Sequence, residues 1–378
     1  MTDHVPVIDL SEPDETLLIE QVAHACSTAG FFQIINHGVP DALVQEFREQ
    51  CRRYFVEMPS DIKNDQRRAA KNARGFFDDE LTKQRLDWKQ ALDVGVPGSR
   101  DWTLDDEDPQ NACLDGFNRL PTGHQLSGFR ETIVHYFTAC ETLSDRIAKF
   151  MAAGIVGHDD DIVQDLKKNH TSYLRLNYYP IYNPQPAETA ITKEEKTADP
   201  APLGISPHKD AGFLTVLLQD DDCHSLQVWL NNEWKTVIPV KGAFTINTGD
   251  MAQIWSNGRY KAPLHRVLTH SVKERYSAPF FYNPGYNSFI RPITGEVPKY
   301  HPCLWGYFRA VRFAGDFTDL GVEIQIDDYE SQQGDEEYED IDYLKKGHPN
   351  LRRQLVFAEK VQMDEPFNVE AFKSLLSE

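Results

Sequence analysis

Residues 213–230 read FLTVLLQDDDCHSLQVWL. Two apolar runs, Phe213–Leu218 and Leu226–Leu230, flank a stretch rich in Asp, His and Ser that suits a turn. Each run is too short for an ordinary helix and has the composition of a buried strand. Short runs of this kind recur on both sides. Upstream, Tyr173-Leu174-Arg175-Leu176-Asn177-Tyr178-Tyr179 alternates as a strand does. Downstream come Trp234–Val237, Ala243–Ile246, Ala252–Ile254, His265–Thr269 and Ser277–Tyr282. Short strands at such even spacing predict a double-sheet barrel of the jelly-roll type.

The flanks have a different period. Val5–Leu10 reads as a short strand, and Ser11, Pro13 and Asp14 as a helix start. Leu17, Leu18, Val22, Ala25 and Cys26 then keep helical spacing up to a terminating Gly30. Gly30–Ile35 is a buried strand closed by Asn36-His37-Gly38. A second helix follows Pro40, with Leu43, Val44, Phe47, Cys51, Tyr54 and Phe55 on its apolar face. Residues 60–125 are polar and irregular, and a long helix is expected over about 126–156. Helix returns at Leu304–Phe313, with a last one near 366–377. The expected fold class is mainly β with helices: a double-stranded β-helix (jelly-roll) core flanked by a helical N-terminal region and a C-terminal helix. The expected division is 1–160 for the mostly helical N-terminal region, 161–303 for the jelly-roll core, and 304–378 for a helical and acidic extension packing on the core.

At 378 residues the chain can bury a large core, and 40% hydrophobic with 11% aromatic residues is an ordinary globular composition. A formal net charge of -20 argues against a nucleic-acid partner, which calls for a basic surface. Part of that acidity lies in the run Gly334–Asp342, expected to be a solvated segment. The six cysteines, Cys26, Cys51, Cys113, Cys140, Cys223 and Cys303, are scattered without a CxxC pair. They read as reduced thiols in a cytoplasmic protein. The opening MTDHVPVIDLSEPDE has no basic stretch followed by an apolar one, and no apolar run reaches membrane-spanning length. Neither a signal peptide nor a membrane segment is expected.

The chemistry is carried by Ser206-Pro207-His208-Lys209-Asp210. His208 and Asp210 are two apart, so on a strand both side chains share a face and can reach one ion. His-x-Asp alone is a weak pattern, and it needs a third ligand from another strand. His265, in Pro263-Leu264-His265-Arg266-Val267, supplies it. Two imidazoles and one carboxylate on one side of an ion form the facial triad of non-haem iron(II) oxygenases, which leaves three positions open. Two of these suit a bidentate 2-oxo acid and one suits O2. His224, His270 and His301 read as surface or structural residues. Ten residues after His265 comes Arg275-Tyr276-Ser277, where Arg275 and Ser277 again share a face. A guanidinium beside a hydroxyl is a natural clamp for a carboxylate.

These motifs together resemble the 2-oxoglutarate/iron(II)-dependent dioxygenase superfamily, in particular the isopenicillin N synthase-like branch that includes anthocyanidin synthase and gibberellin oxidases. The similar stretches are Val5–Leu10, Gly30–Val39, Asp87-Trp88-Lys89, Leu176-Asn177-Tyr178-Tyr179-Pro180, Pro207–Asp210, Leu217–Asp220, Leu226-Gln227-Val228, Asn247-Thr248-Gly249-Asp250, Ser256-Asn257-Gly258, His265-Arg266-Val267 and Arg275-Tyr276-Ser277. The resemblance implies that His208, Asp210 and His265 bind Fe(II) and that Arg275 and Ser277 bind the distal carboxylate of 2-oxoglutarate. It also implies that Asn177, Tyr179 and Arg175 contact the co-substrate. Lys209 replaces the commonest Thr and should face away from the ion. Ser225 stands where Gly is usual. The loop 183–202 is longer than in plant relatives, and the acidic region 331–345 has no counterpart there.

The expected reaction releases succinate and CO2 from 2-oxoglutarate and O2. It generates an iron(IV)-oxo oxidant that hydroxylates, desaturates or oxidatively cyclises a small molecule of specialised metabolism. Two alternatives stay open on the sequence: a 2-oxoglutarate-independent iron oxidase or cyclase of the same fold, and a non-catalytic ligand-binding barrel. The expected partner is a small-molecule substrate, without nucleic acid or membrane, and the expected state is a monomer.

Overall fold

The computed structural model describes residues 5–68, 72–82, 85–97, 116–158, 161–168, 170–182, 203–293, 297–315, 324–331 and 347–360. The expected helix near 366–377, the loop 183–202, the acidic run 334–342 and Cys113 lie outside them.

The chain opens with strand β1 (Val7–Asp9), helix α1 (Glu15–Thr28) and β2 (Phe31–Ile35). The cap of α1 is Asp14, whose carboxylate accepts the Thr16 and Leu17 N–H groups. Ser11 is instead held by Asp9, to whose Oδ1 it donates through both its N–H and its hydroxyl. Gly30, at a φ of 64°, stops the helix and packs so close to Lys261 that a Cβ would sit 2.2 Å from its carbonyl oxygen. Helix α2 (Asp41–Arg52) continues into a π-helical turn, Arg53–Glu57, and is followed by α3 (Ser60–Asp65). Four strands follow, β3 (Gly75–Phe77), β4 (Leu81–Thr82), β5 (Arg85–Leu86) and β6 (Gln90–Gly95). Helices α4 (Phe129–Val156) and α5 (Asp161–Lys168) lead into the main run of strands. These are β7 (Tyr173–Tyr179), β8 (Leu203–His208), β9 (Leu214–Gln219), β10 (Leu226–Leu230), β11 (Glu233–Thr236) and β12 (Phe244–Thr248). Helix α6 (Asp250–Trp255) interrupts them before β13 (His265–Leu268) and β14 (Arg275–Tyr282). The short β15 (Phe289–Ile290) and β16 (Cys303–Leu304) precede α7 (Trp305–Gly315), a 3-10 turn at Ile326–Tyr329 and α8 (Pro349–Lys360).

Among the described residues the large sheet runs β1-β2-β12-β9-β14-β7-β6-β3 and the smaller one β11-β10-β13-β8. Only the β1–β2 pair is parallel. Phe31, Tyr179 and Leu217 from the large sheet meet Leu226, Val228 and Val267 from the small one in a single apolar cluster. The two sheets thus enclose a narrow interior, as a double-stranded β-helix requires. The other face of the large sheet carries the larger core. There Val216, Leu218, Ile246 and Phe280 pack against α4 residues such as Ile133 and Phe137. The alternation of each strand therefore divides its side chains between a helix-covered face and an interior that holds polar groups.

Two segments depart from the sequence expectation. The irregular region 60–125 contains β3 to β6, and β6 joins the large sheet with Asp93 paired opposite Arg175. Asp93 lies in mid-strand, where a cross-strand cation, Arg175, neutralises it in the interior. Ala252–Ile254 belongs to a helix, α6, not a strand. A short apolar run buried on several sides carries no period that separates the two.

The packing of α4 on the sheet can be tested at Phe137. It is fully buried, with its ring edge-on to Phe280 at 4.9 Å between centroids. Phe137→Ala is expected to destabilise the protein by about 3–5 kcal/mol, read as a lowered urea midpoint. A shift of under ~1 kcal/mol would mean that α4 does not anchor the sheet.

Candidate active site

His208 ends β8 and His265 begins β13. The two strands are paired with these residues directly opposite each other, which sets the imidazole centroids 4.3 Å apart. Asp210 follows β8 and is buried. Its Oδ1 lies 3.6 Å from His208 Nε2 and 3.5 Å from His265 Nε2. One ligand atom from each of the three residues falls within 4.8 Å of the others, the one such group among the described residues.

The orientation of each donor is fixed from behind. His208 Nδ1 is 2.8 Å from the Ser206 carbonyl and His265 Nδ1 is 3.1 Å from that of Pro263. A carbonyl can only accept, so each Nδ1 carries a proton, and each Nε2 is the atom turned toward Asp210. Burial, reinforced by the neighbouring His265, pushes the His208 pKa down to about 3, so this ring is neutral near pH 7. Asp210 Oδ2 accepts from Thr215 Oγ1 at 2.5 Å and Asn247 Nδ2 at 2.8 Å. Burial opposes ionisation of Asp210, but the two imidazoles and these hydrogen bonds outweigh it and hold the carboxyl below its usual range. Two imidazole nitrogens and one carboxylate oxygen converge, a donor set that fits a divalent iron.

Asn247-Thr248-Gly249-Asp250 closes the site from below. The Asp250 N–H donates to the Asp210 carbonyl at 2.8 Å, and Met251 N–H to that of Gly212 at 3.0 Å. This contact is possible because residue 249 is Gly. A Cβ there would lie 2.2 Å from Gly212 O and 2.9 Å from Asp210 O.

The second group sits deeper. Ser277 on β14 is flanked by Asn177 on β7 and Gln219 on β9. Arg275 is buried. It donates to Ser277 Oγ and Gln219 Oε1, each at 3.2 Å, and its guanidinium carbon lies 4.9 Å from the centre of the Tyr179 ring. Gln219 is itself held through Thr245 Oγ1 at 3.2 Å. Two buried polar atoms here, Arg275 Nε and Asn177 Oδ1, have no hydrogen-bond partner. A bound carboxylate would relieve the first, so the residues fit an acidic co-substrate.

Arg175 shares the inner face of β7 with Asn177 and Tyr179, but its donors are committed. Nε and one terminal nitrogen bind both oxygens of Asp93, at 2.7 and 2.8 Å, and the other terminal nitrogen binds Glu80 at 3.0 Å. Glu80 also meets Lys89 at 2.5 Å, and Lys89 meets Asp87 at 2.9 Å. The result is a buried wall of paired charges beside the site. Thr215, Asn247, Gln219, Thr245, Glu80 and Asp93 had no role from sequence. Only Gln219 and Asn247 stood in motifs shared with the family, Leu217–Asp220 and Asn247–Asp250.

Comparison with known proteins agrees with this geometry. The model of the 2OG-Fe(II) oxygenase superfamily matches residues 170–284, and that of the non-haem dioxygenase in morphine synthesis N-terminal region matches residues 5–123. The chain is 34% identical to Jasmonate-induced oxygenase 2 of Arabidopsis thaliana, over 80% of this chain and 76% of that protein. It is 30% identical to a bi-functional coumaroyl CoA and feruloyl CoA ortho-hydroxylase of Ipomoea batatas, over 80% of this chain and 78% of that one. The crystal structure of JOX2 in complex with 2OG, Fe and JA superposes with a TM-score of 0.67 at 29% identity, covering 87% and 90% of the two chains.

Two outcomes follow from the site. Gly249→Ala should displace Asp210 and lower divalent-metal affinity about tenfold or more. Cobalt(II) titration of metal-free protein measures this, and unchanged affinity would mean that the close approach is dispensable. The charged wall sets an acid limit. Burial alone would raise the Glu80 pKa, but Arg175, Lys89 and Arg68 hold it well below the carboxylate range. Its contribution to stability is therefore present above the unfolded value, about 4.3, and is lost as pH falls below that toward the folded value. Unfolding midpoints from pH 7 down to about pH 3 should converge for wild type and Glu80→Gln. Parallel curves would show that Glu80 is not the titrating group.

Proposed function

Because the chain belongs to the 2OG-Fe(II) oxygenase superfamily, we propose that His208, Asp210 and His265 hold its iron and that Arg275 and Ser277, flanked by Asn177 and Tyr179, hold the distal carboxylate of 2-oxoglutarate. The observation that carries this is the convergence of two Nε2 atoms, on His208 and His265, on the one Asp210 oxygen left unused by Thr215 and Asn247. The unpartnered Arg275 Nε supports the clamp.

Bound iron, with 2-oxoglutarate and O2, supplies the oxidising power; the chain supplies placement. Thr215 and Asn247 keep Asp210 ionised and aimed. The carbonyls of Ser206 and Pro263 hold the Nδ1 protons of the two histidines. Gln219 and Ser277 orient the Arg275 guanidinium toward the co-substrate, while Leu217, Val228 and Val267 exclude water behind it. Arg175, paired with Asp93 and Glu80, lines the interior on the same strand face as Asn177 and Tyr179.

The chain is a 2-oxoglutarate-dependent dioxygenase, and we infer a small-molecule substrate of specialised metabolism, acted on by a cytoplasmic monomer. The named relatives support a small substrate, since one is a coumaroyl CoA and feruloyl CoA ortho-hydroxylase and one is solved with JA. The net charge of -20 disfavours a polyanionic partner. Cys26, Cys51, Cys140, Cys223 and Cys303 are free and buried, which suits a reducing compartment. No helix among the described residues is long and apolar enough to cross a membrane.

The deciding experiment is anaerobic. Iron(II) and then 2-oxoglutarate are added to metal-free protein and the visible spectrum is recorded. A charge-transfer band that needs both additions, disappears in His265→Ala and weakens at least tenfold in affinity for 2-oxoglutarate in Arg275→Ala is the expected result. Iron binding without a band on adding 2-oxoglutarate would return the oxidase reading.

A further inference from the structure

Asp87-Trp88-Lys89 has no part in the chemistry described so far, yet it brings two charges into the interior. Asp87 and Lys89 are 3% and 6% exposed, while Trp88 between them faces out at 41%. Asp87 Oδ2 accepts from Thr82 Oγ1 at 2.7 Å and from Lys89 Nζ at 2.9 Å. Its other oxygen, Oδ1, accepts the backbone N–H of Ser206 at 3.4 Å. A second tie runs alongside, from the Trp88 N–H to the Leu203 carbonyl at 3.3 Å. The segment therefore clasps β8 at two points, one of them two residues before His208. Ser206 is also the residue whose carbonyl holds His208 Nδ1, at 2.8 Å.

The contacts form a continuous line: Thr82 and Lys89 fix the Asp87 carboxylate, Asp87 fixes Ser206, and Ser206 fixes the imidazole. A single contact of 3.4 Å is weak in water. Here the acceptor is a buried carboxylate with its other oxygen fully engaged, where a charge-assisted bond is stronger and an unmade one costly. We propose that Asp87 is a positioning residue for the metal centre: it sets Ser206, and through the Ser206 carbonyl it sets the tautomer and aim of His208. The proposal rests on the assignment of His208 as a metal ligand. The competing role is a local one, in which Asp87 only neutralises Lys89.

The test uses full-length, metal-free protein with cobalt(II) as the probe, and no co-substrate or turnover is needed. Affinity and the cobalt ligand-field spectrum are measured for wild type, Asp87→Asn and Thr82→Val, together with the thermal unfolding of each metal-free protein. Groups that orient a ligating imidazole change metal affinity by about 10- to 100-fold when removed. Asp87→Asn keeps the shape and removes the charge, so a loss in that range with an altered spectrum is expected while a cooperative unfolding transition persists. Thr82→Val leaves Asp87 in place but less firmly held, and a smaller loss in the same direction is expected. Wild-type affinity and spectrum in folded Asp87→Asn would overturn the proposal and leave Asp87 as the counter-ion of Lys89. If Asp87→Asn does not fold, Thr82→Val decides by the same readouts: an unchanged spectrum and affinity there overturn the link. Failure of wild type itself to bind cobalt would be a failure of the ligand assignment, and it is visible without any variant.

Discussion

A carboxylate kept ionised inside a barrel is the constraint on which the rest of the structure depends. Asp210 is buried, and burial by itself would neutralise it. It stays charged because Thr215 on β9 and Asn247 on β12 satisfy one oxygen while two imidazoles, on β8 and β13, face the other. Four strands from two sheets must therefore arrive together with the right register. A one-residue slip in any of them would turn its polar group out of the interior.

Around that carboxylate the interior is built from charges in balanced groups. Arg175 bridges Asp93 and Glu80, and Lys89 bridges Glu80 and Asp87. Such networks add little net stability compared with a well-packed apolar replacement, but removing one member is expensive because its partner is left charged and dry. Their value here is geometric. The two Arg175 pairs join Asp93 on β6 and Glu80 just before β4 to the barrel strand β7, and the two Lys89 pairs tie the N-terminal segment to itself. The large sheet carries its polar groups on the inner face, at the candidate site, and is apolar on the outer face that α4 covers.

The sequence made much of this legible. Alternation and turn spacing placed most barrel strands within one or two residues, because their faces differ in burial. The i and i+2 spacing of His208 with Asp210, and of Arg275 with Ser277, gave the two groups that the structure gathers. The supports were not legible. Thr215, Gln219 and Thr245 are ordinary strand residues, and their partners lie on other strands, so nothing local distinguishes them. Arg175 was implied as a co-substrate contact, but Asp93 lies opposite it on a strand that a polar, irregular-looking region concealed. Asp87 and Lys89 stood in a stretch shared with the family, but their pairing was not legible, since a sequence lists charges without showing which ones neutralise each other.

The place of β2 in the large sheet governs the order of assembly. It pairs with β12, Phe31 lying opposite Asn247, so more than half the chain separates the two partners. As the protein is synthesised, Phe31, Phe32 and Ile34 leave the ribosome long before the strand that covers one edge of theirs exists. The early region must wait with an apolar strand exposed, a state open to aggregation and to chaperone capture. Closure of the barrel and completion of the Asp210 environment must both wait for β12 and for His265 at the start of β13. A chain that stalls before β12 has neither a finished sheet nor a place for iron, so an incomplete oxidant centre is not assembled on a partial protein.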